Sequence, residues 1–308
     1  VAATVFIDGA VGTTGLEIAD RLAGRSEFIL VTLDEARRKD TAARREALNA
    51  ADFAILCLPD DAAREAVALI DPASKVRVID ASSAHRVAEA WTFGFPELVG
   101  RETVALAARV SNPGCYSTGF IALVAPLVRA GLLPADWPYT CNAVSGYSGG
   151  GKSLIARFED DTDIAWRGYA LGMGHKHVPE MRERSGLTRD PLFSPAVIPA
   201  YRGMVVEVPL PLSAMAAGTP DALRQSLADF FADSPVVRMG AEPDGELLLR
   251  QSRAPSDAMD LHVFASADGS QVRLVAVLDN LGKGASGAAV QSLNLMAGLD
   301  ETAGLRLP

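Results

Sequence analysis

Apolar positions change their period along this chain, and the change divides it in two. Residues 4–8 form a short β-rich run that ends in glycines, and residues 16–22 then carry apolar side chains at helical spacing. Residues 28–33 predict a second strand. The run 51–58, with Phe53, Ile55, Leu56 and Leu58, predicts a buried strand, and a helix over 62–70 and a strand over 76–80 follow. Strands that alternate with helices in this way imply a parallel sheet covered on both faces, an α/β unit of the Rossmann-like type.

The pattern shifts near Asn112. A Pro113-Gly114 pair precedes a predicted helix over 116–130, and the strands then lengthen, over 139–144, 204–210, 261–265 and 272–278. Asp268-Gly269 between the last two predicts a hairpin turn. Such strands predict a mostly antiparallel sheet and hence a second, α+β domain. After Asn280 a glycine-rich turn leads to a helix over 285–297, which is expected to return to the first domain. The expected division is a first domain over 1–113, completed by 281–308, and a second domain over 114–280.

Composition narrows the function. The 308 residues suffice for two cores. A net charge of −9 argues against a nucleic-acid partner, because backbone phosphates need a basic face, although a few local Arg or Lys residues can still hold one anionic substrate. No stretch reaches the roughly 20 apolar residues that span a bilayer. The opening residues lack the charged start of a signal peptide, so a cytoplasmic protein without a membrane partner is expected. Three cysteines without a CxxC pair read as free thiols in a reducing compartment. Four histidines, two of them in one short motif, argue against a metal site.

The first strand runs into Gly9-Ala10-Val11-Gly12-Thr13-Thr14-Gly15, and a helix follows. This GxxGxxG is a variant of the dinucleotide fingerprint. Its glycines let the backbone approach a pyrophosphate, and the helix start supplies N–H groups. Asp34 ends the second strand where a ribose-binding acid is expected, and Arg37, Arg38 and Lys39 follow at once. A basic cluster there suits a 2′-phosphate and points to NADP(H); a solvated charged loop is the plainer alternative. Asp80-Ala81-Ser82-Ser83 closes a later strand at the same sheet edge, where Ser82 and Ser83 either line the cofactor or cap a helix.

The most informative segment is Ser111-Asn112-Pro113-Gly114-Cys115-Tyr116-Ser117-Thr118-Gly119. The turn sets Cys115 at the start of a helix, where the dipole and unpaired N–H groups favour a thiolate nucleophile. Cys57 and Cys141 lie inside apolar strands and read as structural. His175-Lys176-His177-Val178-Pro179-Glu180 gathers two histidines and an acid. Acid–base work needs one histidine near the substrate oxygen, here His177, with His175 as a partner to substrate or thiolate and Glu180 to orient an imidazole. His85 and His262 have no comparable surroundings. Ser145-Gly146-Tyr147-Ser148-Gly149-Gly150-Gly151-Lys152 reads as a loop whose N–H groups and Lys152 hold an anion, or else as a flexible turn.

Together these motifs resemble the N-acetyl-gamma-glutamyl-phosphate reductase family in its shorter branch, with aspartate-semialdehyde dehydrogenase as a wider relative. The resemblance spans nearly the whole chain, including Trp91-Thr92-Phe93-Gly94-Phe95-Pro96 and Leu278-Asp279-Asn280-Leu281-Gly282-Lys283-Gly284. It implies a dinucleotide domain plus an α+β domain of the semialdehyde dehydrogenase type that carries the cysteine and the oligomer contacts. It also implies NADPH as reductant, an acyl-phosphate substrate, and a homo-oligomer, dimer or tetramer. By resemblance Cys115 is the nucleophile. Asn280 and Gly282 approach the nicotinamide. Arg86, with Asn112, Ser145, Gly146 and Lys152, faces the substrate phosphate or carboxylate. The rival readings are an aspartate-semialdehyde dehydrogenase, an aminoadipate-type acyl-phosphate reductase, and a non-catalytic NADP-binding sensor.

Overall fold

The computed structural model describes residues 2–308, and the chain forms two compact units, 1–114 with 285–305, and 115–284 with 306–308. Among the described residues no helix is long and apolar enough to cross a membrane.

The first unit opens with β1 (Ala3–Asp8), α1 (Thr13–Leu22), β2 (Phe28–Val31), α2 (Thr41–Ala50), β3 (Phe53–Leu56), α3 (Asp60–Ala68) and β4 (Arg77–Asp80). It continues with β5 (Thr92–Phe93), α4 (Pro96–Val99), α5 (Arg101–Leu106) and β6 (Arg109–Ser111). The six strands are parallel in the order β2-β1-β3-β4-β6-β5. Period-two alternation along β1 sends Val5 and Ile7 to one face, with Ile18 and Leu22 of α1, and Phe6 to the other, with Leu48, Ala63 and Trp91. The later helix α10 (Gly287–Met296) adds Val290, Leu293 and Met296 to the first of these cores. Arg25 ties the tail down by donating to Asn294 and to the Ala303 carbonyl.

Several boundaries move inward from the sequence reading. The second strand stops at Val31 rather than 33, because its ladder to β1 ends at the Phe6–Val31 pair. Asp34 therefore lies in the turn beyond the strand, where its carboxylate accepts the Arg37 amide at 2.9 Å. The sequence pattern leaves α2 unmarked, because Thr-Ala-Ala-Arg-Arg-Glu-Ala-Leu-Asn-Ala offers only one large apolar residue. One of its charges is buried: Arg44 meets Asp8 at 2.8 Å with both side chains nearly closed to solvent.

The second unit holds α6 (Cys115–Arg129), β7 (Thr140–Gly146), α7 (Gly151–Asp160), β8 (Arg167–Gly168), α8 (His177–Ser185), β9 (Leu192–Ile198) and β10 (Met204–Pro211). α9 (Pro220–Phe230), β11 (Val237–Met239), β12 (Met259–Ala265) and β13 (Gln271–Leu278) complete it. Its seven strands run in the order β11-β12-β13-β10-β7-β9-β8. The sheet is mostly antiparallel, as expected, with two parallel pairings within it: β7 with β9, and β11 with β12. The connection from β7 to β9 passes through α7, β8 and α8 and is long enough for a crossover, which hairpins are not. The turn at Asp268-Gly269 does join the antiparallel pair β12 and β13. α6 is buried along almost its whole length, which explains why its sequence is apolar all round.

His262 on β12 is buried, stacks on Phe264 at 5.6 Å, and leaves no room for a side chain at Gly240. Burial lowers its pKa below the ordinary value, partly offset by Asp260. The unfolded chain therefore binds this proton more readily than the folded one. Stability is fully present above the unfolded pKa of about 6.5 and falls as pH drops below it. His262→Gln should flatten that fall in urea unfolding midpoints measured from pH 7.5 to 5.5; an unchanged slope would remove His262 as its source.

Candidate active site

In the first unit, the turn after β1 is shaped by close approach. Gly9 has φ +86°, and a Cβ there would lie 2.3 Å from the Cys57 carbonyl oxygen. A Cβ on Gly15 would lie 2.7 Å from the Gly9 carbonyl oxygen, so this glycine lets α1 sit against the turn. At Gly12 the nearest atom to such a Cβ is at 3.4 Å, which leaves the backbone approachable. Gly12 is the N-cap of α1 and no side chain caps the helix, so Thr13, Thr14 and Gly15 present first-turn amides to an anion. A glycine cradle with an uncapped helix start fits a dinucleotide pyrophosphate.

The other proposed cofactor residues are more engaged than the sequence suggested. Arg38 grips Glu35 and Arg37 reaches Glu46, both at the surface, so these guanidinium groups are shared with carboxylates. The Ser82 hydroxyl donates to Asp80 at 2.8 Å, and the Ser83 hydroxyl to Asp60 at 2.6 Å. Arg86 is buried and donates from Nε to the Asn112 carbonyl at 3.1 Å. Asn112 is held by its own amide on the Asp80 carbonyl, and its Nδ2 donates to the Ala285 carbonyl, which leaves the buried Oδ1 without a partner. An orphaned acceptor at a parallel-sheet edge is a second sign that this unit is built around a bound group.

In the second unit, Cys115 is the first residue of α6 and is only partly buried. The other two thiols differ. Burial, with Asp80 and Asp8 nearby, pushes Cys57 up to about 12, and burial alone pushes Cys141 up. Around Cys115 stands an aromatic cluster. Ring centroids of His175 and His177 are 4.6 Å apart, Tyr116 lies 5.8 Å from His177, and Tyr169 and Phe193 lie 5.5 and 5.1 Å from His175. Tyr116 donates its hydroxyl to the Ala196 carbonyl at 2.8 Å. Burial raises Tyr116, and it raises Tyr169 to about 12; a negative Cys115 adds to both shifts. Both phenols stay protonated at neutral pH. Sequence reasoning missed these roles, although Tyr116 directly follows the cysteine.

The two histidines are distinguishable. The backbone N–H of His177 donates to His175 Nδ1 at 3.1 Å. That nitrogen is an acceptor, so the ring proton sits on Nε2 and His175 is a hydrogen-bond donor on its other side. His177 opens α8 and is 5% exposed, and Glu180 in the same turn is 1% exposed.

The loop 145–152 departs from the anion cradle expected of it. The amides of Gly146, Tyr147 and Ser148 donate to the carbonyls of Gly203, Ala200 and Tyr201, so they are not available to a ligand. Ser145 is buried, Lys152 is exposed at the start of α7, and these with the later glycines are what remain. Asn280 explains the loop's course: its Oδ1 accepts from Gly203 N and its Nδ2 donates to Ser148 Oγ, both at 2.9 Å. Its amide thus clamps two loops of its own unit. Gly282 lies against the Ser256 carbonyl, and Gly284 against the Cys115 Cβ. Arg202, paired with the buried Asp279 at 2.9 Å, was also unforeseen. Among the described residues no group of three His, Cys, Asp or Glu could hold a metal.

Residues 4–107 match the NAD binding domain of semialdehyde dehydrogenase, and 115–280 match its dimerisation domain. The chain is 50% identical over 303 residues to an N-acetyl-gamma-glutamyl-phosphate reductase of Rhizobium meliloti, covering 95% of this chain and 98% of that one. The chain belongs to the semialdehyde dehydrogenase family, in its N-acetyl-gamma-glutamyl-phosphate reductase branch. A reductase of the same name from Burkholderia lata is 51% identical over 310 residues, with 97% and 98% covered. Solved aspartate semialdehyde dehydrogenases share the fold. One from Francisella tularensis gives a TM-score of 0.71 at 12% identity over 96% of this chain and 99% of that one. The enzyme II of Vibrio cholerae gives 0.69 at 17% over 97% and 99%.

Proposed function

We propose that this chain is an NADPH-dependent reductase of N-acetyl-gamma-glutamyl phosphate, yielding N-acetylglutamate 5-semialdehyde and phosphate, a step of arginine biosynthesis. The observation that carries the mechanism is Cys115 at the first turn of a buried helix, in the unit that also sets His175 edge-on against His177.

His177 takes the Cys115 thiol proton. The thiolate attacks the acyl carbon, the C–S bond forms, and the C–O bond to phosphate breaks to leave a thioester. Gly9, Gly12, Thr13, Thr14 and Gly15, with Asp34, Arg37, Arg38, Ser82 and Ser83, would hold the nicotinamide cofactor, which when bound would supply the hydride that takes a thioester to the aldehyde level. His175 donates from Nε2 to the oxygen that becomes negative, an effect of roughly 3–4 kcal/mol per donor. As the C–S bond breaks, the thiolate of Cys115 is regenerated beside Tyr116 and Tyr169. Glu180 orients His177. Arg86, with Ser145 and Lys152, holds the phosphate and carboxylate of the substrate, and Asn280 sets the course of the 145–152 loop. The protein works in the cytoplasm as a dimer or tetramer.

The test is the reverse reaction. Purified protein with N-acetylglutamate 5-semialdehyde, phosphate and NADP+ should form NADPH in a phosphate-dependent way, and should not with aspartate semialdehyde. Folded protein that binds NADP+ but reduces it with neither aldehyde would end this reading.

A further inference from the structure

The segment that delivers Arg86 is fastened from both sides, and one fastening uses a histidine that the mechanism leaves unused. Asp80 ends β4 with its side chain wholly buried. Its carboxylate accepts the Ser82 amide at 2.9 Å, the Ser82 hydroxyl at 2.8 Å and His85 Nδ1 at 2.6 Å. A carboxylate engaged in this way accepts only, so His85 carries a proton on Nδ1. The imidazole then stacks on Trp91 at 4.2 Å with an interplanar angle of 14°, and the Arg109 guanidinium lies 5.7 Å from the same indole ring. On the opposite side Asp60, at the start of α3, accepts the amide and hydroxyl of Ser83 at 2.9 and 2.6 Å. Arg86 follows directly and rests on the Asn112 carbonyl.

We propose that His85 is a positioning residue: clamped between Asp80 and the Trp91 ring, it fixes the 82–86 turn so that the Arg86 guanidinium is preset for the phosphate of the substrate. A buried carboxylate with several donors holds a turn rigidly, and a preset guanidinium binds phosphate without losing side-chain freedom at that moment. The inference rests on the reading above that Arg86 meets phosphate. The mechanism gives His85 no step of its own, so its effect belongs in phosphate affinity rather than in turnover.

The experiment is the KM for inorganic phosphate in the reverse reaction, with kcat and NADP+ affinity measured alongside. His85→Phe keeps the stack on Trp91 but removes the donor to Asp80; it should raise the phosphate KM about 10-fold or more, with kcat within about threefold when NADP+ is saturating. His85→Asn places an amide N–H where Nδ1 stood and should restore the KM to within about threefold of the parent. Asp60→Ala loosens the other fastening without touching the buried carboxylate, and serves if His85→Phe does not fold; it should also raise the phosphate KM. An unchanged KM in the His85 and Asp60 variants, while Arg86→Leu raises it strongly, overturns the positioning role and leaves the Arg86 reading intact. An unchanged KM in Arg86→Leu overturns that reading and this inference with it. A fall in kcat with the KM unmoved would also refute the proposal.

Discussion

Cys115→Ser is expected to lower turnover about 10⁴-fold while NADP+ binding stays at the level of the parent protein. A serine hydroxyl at the same place is far less acidic than a thiol, and no base in the cluster makes it a comparable nucleophile. The fold should be unaffected, since serine is well suited to a helix start and the side chains are near in size. The proposed cofactor cradle is on β1 and α1 of the other unit, so the two activities can be read separately. Fluorescence titration with NADP+ beside the phosphate-dependent assay measures both. Turnover within about tenfold of the parent would remove the thioester from the mechanism.

His177→Asn should lower kcat about 10²- to 10⁴-fold, the range found for a lost general acid–base. It should also abolish the pH limb that reports the imidazole. His175→Ala should cost about 10²- to 10³-fold by loss of a donor, with the shape of the pH profile kept. The distinction follows from one hydrogen bond: His175 Nδ1 accepts the His177 amide, which fixes its proton on Nε2. A flattened pH profile in the His175 variant, with the profile intact in His177→Asn, would exchange the two roles.

Much of this site is legible before any fold is known. The Gly9–Gly15 turn announces itself because only glycine tolerates φ +86° at a site where a Cβ would meet the Cys57 carbonyl. Cys115 is read correctly as a helix start because Pro113-Gly114 ends one element and an apolar run begins another. These are local features, and a period or a turn residue reports them directly. α8 is harder, since His-Val-Pro-Glu-Met-Arg-Glu-Arg-Ser buries residues with little apolar signal, and its importance shows only through the two histidines.

What the chain's own order dictated, then, is the alternation of β1 to β4 with their helices, the Gly9–Gly15 turn, Cys115 at the head of α6 and the hairpin between β12 and β13. Tertiary structure decided the rest. The parallel pairing of β9 with β7 depends on a crossover that no local period records. The amides of residues 146–148 looked available until Ala200–Gly203 came back to take them. Asp8 and Arg44 are 36 positions apart, and Asn280 and Ser148 are 132 apart, before burial joins each pair. His85 stood five residues after a strand end with nothing to mark it, and only packing of Trp91 and the closed carboxylate of Asp80 made it a fastening. Hydrophobic period and turn chemistry act within a few residues and survive in the sequence, whereas the partner of a buried polar atom is chosen by whatever the folded chain brings within hydrogen-bond reach.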